Sequence, residues 1–286
     1  MSGRLARSWD LMKASGAVLA ADKELLLLPV MSALAGLAVM ASFLVPALMD
    51  GWLQALAGSP DGSPDPRLFL WVFAFYVVLY FVGFFFNAAL VAAALERLRG
   101  GDPTLGSALA SAWRHKGTIL GYAIIAATVG LILKMIEQRV GWVGRLIVGL
   151  LGAAWTVVTF LVVPTLVAEG IGPLDAVKRS ASLLGKTWGE NLIGNAGIGI
   201  AFVILYLIAG LLSALLLMGA QAVGGEVGLT VALVLVVVGF LLLATANAAL
   251  SAIYCAALYR FAADGEAPSA FGSERLQQAF QPKLIS

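Results

Sequence analysis

Six apolar runs, each long enough to cross a lipid bilayer, set the strongest constraint on how this chain can fold. They are Leu25–Met49, Leu68–Leu95, Thr118–Ile136, Leu146–Ala168, Leu192–Ala222 and Leu229–Leu258. A helix of about 20 apolar residues spans the hydrocarbon core, whereas an open strand in lipid would leave its backbone N–H and C=O groups without partners. The sequence therefore predicts an all-α, polytopic membrane bundle of six transmembrane helices.

Composition indicates the same class, because the chain has too few polar residues to cover a soluble protein of its size. Hydrophobic residues make up 61% of the 286 residues, charged residues make up 12%, and the mean hydropathy is +0.96. An average soluble domain is about half apolar and about a quarter charged. The net charge of +2 is too small to predict nucleic-acid binding. We interpret residues 1–286 as a single integral membrane domain.

Basic residues are distributed unevenly between the loops, and this bias predicts the orientation. Fourteen of the 18 Lys and Arg residues lie in the N-terminal segment, the second and fourth loops and the C-terminal tail, and four lie on the other side. Lys and Arg concentrate in the cytoplasmic loops of membrane proteins. We therefore expect a multi-pass protein with both termini in the cytoplasm.

Four short segments on the predicted cytoplasmic side have the pattern of amphipathic helices. They are 5–15, 103–117, 173–188 and 268–281. In the third segment, a Gly172–Pro173 break suits a helix start. Leu174 belongs to the predicted apolar arc of that helix, and Lys178 and Arg179 fall on another arc. Such helices lie in the membrane interface with their cations toward anionic lipid. The candidates for binding lipid or a partner protein are Arg7, Trp9, Trp113, Arg114, Lys178, Arg179, Lys186 and Trp188. An interfacial anchor that only connects two spans explains the same pattern.

The segments recur with nearly the same phase, which indicates an internal repeat. Pro103 and Pro173 are 70 residues apart, and Ser111 and Ser180 are 69 residues apart. The tetrapeptide NAAL occurs in both the second and the sixth run. We interpret the chain as three degenerate copies of an amphipathic helix followed by a helical hairpin.

Three stretches carry a resemblance to a known family. They are RSWDLMKASGAVLAADKELLLLPV, VPTLVAEGIGPLDAVKRSASLLGKTWGENLIG and ALYRFAADGEAPSAF. Together they resemble a widespread, functionally uncharacterised family of bacterial six-helix inner-membrane proteins, which is distantly similar to the membrane domains fused to some glycerophosphodiester phosphodiesterases. The resemblance covers nearly the whole chain. It implies a six-span bundle in the bacterial inner membrane and a link to lipids, and it supplies no catalytic residue.

Motifs for catalysis or metal binding are absent from the sequence. It contains no GxSxG, HExxH or Walker-type GxxxxGK[ST] motif and no metal-spaced set of Cys and His. The one cysteine is Cys255, and the one histidine, His115, lies between Arg114 and Lys116, where a solvated or headgroup-facing imidazole is expected. We predict no catalytic, cofactor-binding or metal-binding residue, and we do not expect an enzyme.

Polar residues within the apolar runs are the other candidates, because each needs a partner away from water. They are Asn87, Asn195 and Asn247, together with Glu96 and Glu169 near the cytoplasmic ends of the second and fourth spans. Interhelical hydrogen bonds explain the asparagines most simply. No ionisable residue lies in the middle of a run, which disfavours an ion-coupled transporter.

Smaller features predict local structure. Pro29, Pro46 and Pro164 can kink their spans, and Lys134 can pair with Glu137 one helical turn away. The small residues Gly117 and Gly121 indicate close helix packing at the start of the third span.

Three functions remain open on the sequence. The preferred one is a non-enzymatic membrane protein that organises lipid or partner proteins through its cytoplasmic amphipathic helices. The second is a channel or transporter for a small or amphiphilic solute. The third, ranked lowest, is a lipid-modifying enzyme that uses Glu96, Glu169 or His115. Small residues in every span are compatible with a homo-oligomer.

Overall fold

The computed structural model of the chain describes residues 23–49, 66–187 and 191–264, and the elements within those ranges are helical. A 3₁₀ turn at Lys23–Leu26 leads into α1 (Leu27–Met49). The remaining helices are α2 (Pro66–Leu98), α3 (Leu105–Arg114), α4 (Lys116–Arg139), α5 (Trp142–Val158), α6 (Val162–Glu169), α7 (Pro173–Thr187) and α8 (Asn191–Asp264). The predicted all-α class is confirmed for the described part of the chain.

Six helical stretches within the described ranges are long and apolar enough to cross a membrane. They are Glu24–Met49, Arg67–Leu98, Lys116–Arg139, Trp142–Glu169, Phe202–Gln221 and Gly224–Asp264. Each overlaps one of the six predicted runs, and large apolar side chains such as Leu37, Leu150 and Leu211 are exposed along them. A bilayer covers such side chains, so the chain is a multi-pass membrane protein.

The chain divides into two compact units. The first unit contains residues 31–93 and 104–185, and the second contains residues 1–30, 94–103 and 186–286. In the first unit, α4 packs against α3, α5 and α6. Ala123 and Ala127 of α4 are fully buried, and small side chains of this kind let helices approach closely. The Phe84 and Tyr122 rings, 4.6 Å apart at their centroids, join α2 to α4.

The fourth predicted span is interrupted, because α5 ends at Val158 and α6 begins at Val162. The connection is a tight turn in which Phe160 N donates to Val157 O at 3.1 Å and Val162 N donates to Thr159 O at 3.1 Å. Pro164 explains the interruption, since proline has no N–H to give and its ring clashes with the carbonyl four residues earlier. The predicted kink at Pro164 is confirmed as a break just upstream of the proline.

Spans five and six form one helical hairpin in the second unit. The backbone of α8 leaves helical geometry at Gly225, where φ is 57° and ψ is −148°. The rings of Tyr206 and Phe240 stack with centroids 6.2 Å apart, and their positions on either side of Gly225 mark two antiparallel limbs. A Cβ added to Gly228 would lie 3.0 Å from the carbonyl oxygen of Ala220, so the limbs also approach closely at the turn.

Two smaller predictions concern α4. Lys134 Nζ lies 2.9 Å from Glu137 Oε2, which confirms the predicted pair. A Cβ on Gly121 would lie 2.9 Å from the Pro173 ring, whereas a Cβ on Gly117 would meet nothing within 4 Å. The prediction of close packing is therefore right for Gly121 and wrong for Gly117.

Candidate functional site

The elbow between α3 and α4 is held by local hydrogen bonds. Thr104 Oγ1 accepts from Ser107 N at 3.1 Å, and Ser107 Oγ accepts from Thr104 N at 3.0 Å, which gives α3 a reciprocal N-terminal cap. At the other end, His115 Nδ1 lies 2.9 Å from the carbonyl oxygen of Ser111. Because a carbonyl oxygen only accepts, Nδ1 carries a proton. The His115 side chain therefore closes the turn at the end of α3 by a hydrogen bond to the backbone.

Trp113 lies exposed on this elbow in a fixed position. Its side chain is 60% exposed, and its ring meets the edge of Phe85 at a centroid distance of 6.3 Å. Lys116 Nζ lies 4.1 Å from the centre of the Trp113 ring, in the geometry of a cation–π contact. Arg114 and Lys116 are both exposed beside it. The elbow thus presents an indole ring and two cations on one corner of the first unit.

The turn between α6 and α7 has the structure that Gly172–Pro173 predicts. Gly170 ends α6 in the left-handed region, at φ 64°, and its N–H donates to Leu166 O at 3.1 Å. Pro173 is the first residue of α7, where its missing N–H is least costly. The ring of Pro173 lies against Gly121, and a Cβ on Gly170 would lie 3.8 Å from His115 Nε2. The α6–α7 turn is therefore adjacent to the α3–α4 elbow.

We call the α3–α4 elbow, the end of α6 and the N-terminal half of α7 the basic corner. Its charged residues are Arg114, Lys116, Lys178 and Arg179, with Glu169 and Asp175. Four cations against two carboxylates give the corner an excess of two positive charges.

Lys178 and Arg179 of α7 differ in their partners. Arg179 Nε lies 3.0 Å from Glu169 Oε1, and the two side chains are 38% and 25% exposed. Lys178 Nζ lies 3.7 Å from Asp175 Oδ1, and both of these side chains are largely exposed. An ion pair as exposed as the second contributes little to stability. Lys178 therefore faces solvent or headgroups, whereas Arg179 ties α7 to the end of α6.

Ser180 is the residue whose role the sequence did not reveal. Its side chain is fully buried, and its Oγ donates to Val158 O at 2.6 Å and accepts from Leu161 N at 3.0 Å. Both backbone groups belong to the break in span four. The sequence matched Ser180 to Ser111 only as a repeat position. The sequence feature that could have indicated this role is a serine on the helix that follows a proline-containing span.

The buried face of α7 also differs from the predicted arc. Ala176, Ser180, Leu183 and Leu184 are buried, whereas Leu174, which belongs to the predicted apolar arc, is 63% exposed. The helix therefore packs on the protein through a face centred on Ser180.

One of the polar candidates, Glu96, lies near the end of α2, in the second unit. Glu96 is exposed, and its carbonyl oxygen accepts from Arg99 N and Gly101 N at 3.1 and 3.0 Å. Arg97 binds Asp102 at 3.2 Å, and Arg260 from α8 donates to the carbonyl oxygen of Leu98. These contacts satisfy the carbonyl groups at the end of a helix, so we interpret this end of α2 as a structural cap.

The asparagine candidates are not part of the basic corner; they lie on α2 and α8. Asn87 is exposed on α2, and Asn247 Oδ1 accepts from Ser251 Oγ at 3.3 Å on its own helix. The partner found for Asn247 is therefore intrahelical rather than interhelical. The side chains of Asn195 and Lys186 lie outside the described residues, as do Arg7, Trp9, Trp188 and the segments 5–15 and 268–281.

No three His, Cys, Asp or Glu side chains come together to hold a metal ion in ranges 23–49, 66–187 and 191–264. The sulfur of Cys255 is buried.

Comparison with known proteins identifies the family. No curated protein matches the chain. Residues 67–269 match the model of a family described as a family of unknown function (DUF6159). The match covers more than two thirds of the 286 residues, from the second span into the C-terminal tail. The chain therefore belongs to the DUF6159 family.

Proposed function

We propose that this protein binds anionic membrane lipid at the basic corner and has no enzymatic activity. The observation that carries the proposal is the arrangement of Trp113, which is exposed yet held between Phe85 and Lys116. Tryptophan side chains concentrate at the headgroup level of a bilayer, where one part of the ring is in contact with apolar groups and the N–H is in contact with water. A lysine stacked on such a ring is held where lipid phosphates lie.

The charge of the corner supports lipid as the ligand. A Lys or Arg close to an anionic membrane surface contributes about 1 kcal/mol to binding. Lys178 extends from α7 with its side chain 80% exposed, and Arg114 and Lys116 are exposed on the elbow. Three exposed cations at the basic corner, with Lys116 on the indole of Trp113, favour a phosphate-bearing headgroup over a neutral one.

Three further features belong to the same proposal. The bias of Lys and Arg favours the cytoplasmic membrane of a bacterium, with both termini and the basic corner on the cytoplasmic side. The short helices α3 and α7, each followed by a long apolar helix, support a chain of three degenerate repeats. The distant similarity to membrane domains fused to glycerophosphodiester phosphodiesterases agrees with a role near lipids.

Native mass spectrometry of protein released from lipid nanodiscs tests the proposal. The discs contain phosphatidylglycerol and phosphatidylcholine, and the variant carries Lys116→Gln, Lys178→Gln and Arg179→Gln, all at the basic corner. We expect the fraction of protein that retains phosphatidylglycerol to fall at least about tenfold, because each cation contributes about 1 kcal/mol. Retention of phosphatidylcholine is expected to stay the same.

The control variant removes the same number of positive charges from the predicted outer side, with Lys134→Gln, Arg139→Gln and Arg145→Gln. It is expected to retain phosphatidylglycerol like the wild type. Equal losses in the two variants would mean that retention follows net charge alone. No loss in the first variant would refute a lipid site at the basic corner.

The second candidate function, a channel or transporter for a small or amphiphilic solute, has one observation in its favour. Span four is discontinuous, and discontinuous helices with exposed or side-chain-satisfied backbone groups line the sites of many transporters. The buried hydroxyls of Thr165 and Ser180 lie at this break. Solute flux into proteoliposomes that is lost on replacing Asn87 or Asn247 would establish transport. Absence of flux over a broad solute panel would remove this candidate.

A further inference from the structure

The break in span four can satisfy its backbone groups in two different ways. In the structure, Phe160 N and Val162 N take carbonyl partners three residues back, so Val158 O and Leu161 N are left to the hydroxyl of Ser180. Regular helical bonding would instead pair each N–H with the carbonyl four residues back. The groups that Ser180 satisfies would then find partners within their own span.

Pro164, just downstream of the break, is the residue that disfavours regular helical bonding through span four. Proline cannot donate to Phe160 O, and its ring crowds that carbonyl, so a continuous span would be kinked there. Leu161 N could nevertheless reach Val157 O, and Val162 N could reach Val158 O, with regular helical geometry. The structure holds span four in the broken form, in which the hydroxyl of Ser180 on α7 satisfies Val158 O and Leu161 N, whereas a kinked continuous form would not need α7.

Arg179 connects these two forms to the basic corner. It is the residue next to Ser180, and its guanidinium is bonded to Glu169 at the end of α6. A lipid phosphate that binds Arg179 must displace Glu169 or bring a second anion beside it. Both disfavour the contact between α7 and α6, whereas the phosphate meets no such competition once α7 has moved away.

We propose that anionic lipid bound to α7 shifts span four from the broken form to the continuous form. This inference rests on the lipid site proposed above and adds its regulation. A ligand moves an equilibrium only through a difference in its affinity for the two states, and here the difference comes from competition with Glu169. The same linkage requires any change that weakens the broken form to tighten lipid binding.

The decisive variant is Ser180→Ala, which removes both hydrogen bonds of the brace from a buried position that lipid cannot touch. We expect its affinity for phosphatidylglycerol, titrated into nanodiscs and read by native mass spectrometry, to rise about fivefold. Adding Arg179→Gln should abolish the gain, because the competition acts through Arg179. A residue with a purely structural role would lower lipid binding or leave it unchanged.

Two matched controls isolate the effect of the two hydrogen bonds that Ser180 makes to the break. Thr165→Val removes another fully buried hydroxyl at the break, but that hydroxyl bonds to Leu161 O within its own span. Ser182→Ala removes an exposed hydroxyl from α7 itself. Both are expected to bind phosphatidylglycerol like the wild type.

Pro164→Ala keeps the proposal testable if Ser180→Ala does not fold. It restores an N–H at 164 and removes the clash in the continuous form, so it also should raise the affinity for phosphatidylglycerol. Unchanged or lower affinity in every folded variant of this pair would overturn the coupling. In that event the lipid site itself stands if the triple Gln variant of the basic corner still loses phosphatidylglycerol, and both proposals are wrong if it does not.

Discussion

Within the residues that the structure describes, helical geometry is lost in two apolar stretches, at Gly225 and at Thr159–Leu161, and different groups stabilise the two interruptions. In a membrane, a backbone N–H or C=O without a partner costs several kcal/mol. Gly225 turns the chain with φ 57° and ψ −148°, a conformation that glycine alone adopts readily. The break at Thr159–Leu161 instead uses the hydroxyl of Ser180, which lies 19 residues beyond Leu161.

The difference determines what each interruption can respond to. The turn at Gly225 is fixed by its own residue, so it persists as long as α8 persists. The break in span four needs α7 in place, and α7 carries Lys178 and Arg179 at the basic corner. An interruption that depends on another helix can change when that helix moves, and this is why the broken span is the better place to look for regulation.

The largest effect is expected from Gly225→Ala, which tests the local interruption. A Cβ at this φ and ψ is strained whatever space surrounds it, and we expect the free energy of unfolding in mixed micelles to fall by about 3 kcal/mol. Gly224→Ala is the matched control, because its Cβ meets nothing within 4 Å and its φ is not in the positive region. Equal effects of the two substitutions would mean that Gly225 is not the residue that fixes the turn.

Ser180→Ala tests the break in span four, which depends on a hydroxyl from another helix, and it should have the second largest effect on the free energy of unfolding. Losing one hydroxyl leaves a donor and an acceptor of the buried break to find new partners, and we expect the free energy of unfolding to fall by about 2 kcal/mol. Ser182→Ala, on the exposed side of the same helix, should change it by less than about 0.5 kcal/mol. A loss as small as that for Ser180→Ala would show that span four satisfies its backbone without α7.

The contrast also separates what the sequence could predict from what it could not. Apolar runs predicted all six spans, and Gly172–Pro173 predicted the start of α7, because length, hydropathy and proline geometry act within a short stretch of chain. Pro164 predicted an irregularity in span four for the same reason. Properties of this kind require no knowledge of which helices are neighbours.

The partners at the site required that knowledge. The bond from Arg179 to Glu169 and the two bonds of Ser180 depend on how α7 lies against α5 and α6. Helical periodicity placed Leu174 on the apolar arc of α7, yet Leu174 is exposed. The face of α7 that packs on the protein is the one that brings the Ser180 hydroxyl to Val158 O and Leu161 N at the break. Trp113 and Arg114 were identified from the amphipathic pattern of segment 103–117, whereas the contacts of Trp113 with Phe85 and Lys116 were not predicted.

The smallest effect, and the most informative about how α7 is held, is expected from Gly121→Ala. A Cβ there would lie 2.9 Å from the stiff ring of Pro173, so the first turn of α7 must shift by a few tenths of an ångström. Alanine favours a helix over glycine by about 1 kcal/mol, yet we expect a net loss of about 1 kcal/mol in the free energy of unfolding.

Gly117→Ala is the matched control, one turn earlier on α4, where a new Cβ has open space. It should leave the free energy of unfolding unchanged or raise it slightly. Since Pro173 and Ser180 belong to the same helix, a shift at Gly121 also strains the bonds of Ser180, and Gly121→Ala should destabilise a protein that already carries Ser180→Ala by less than it destabilises the wild type. Additive losses would mean that the packing of Pro173 and the brace at Ser180 act independently, and that α7 is held at two separate points rather than as one unit.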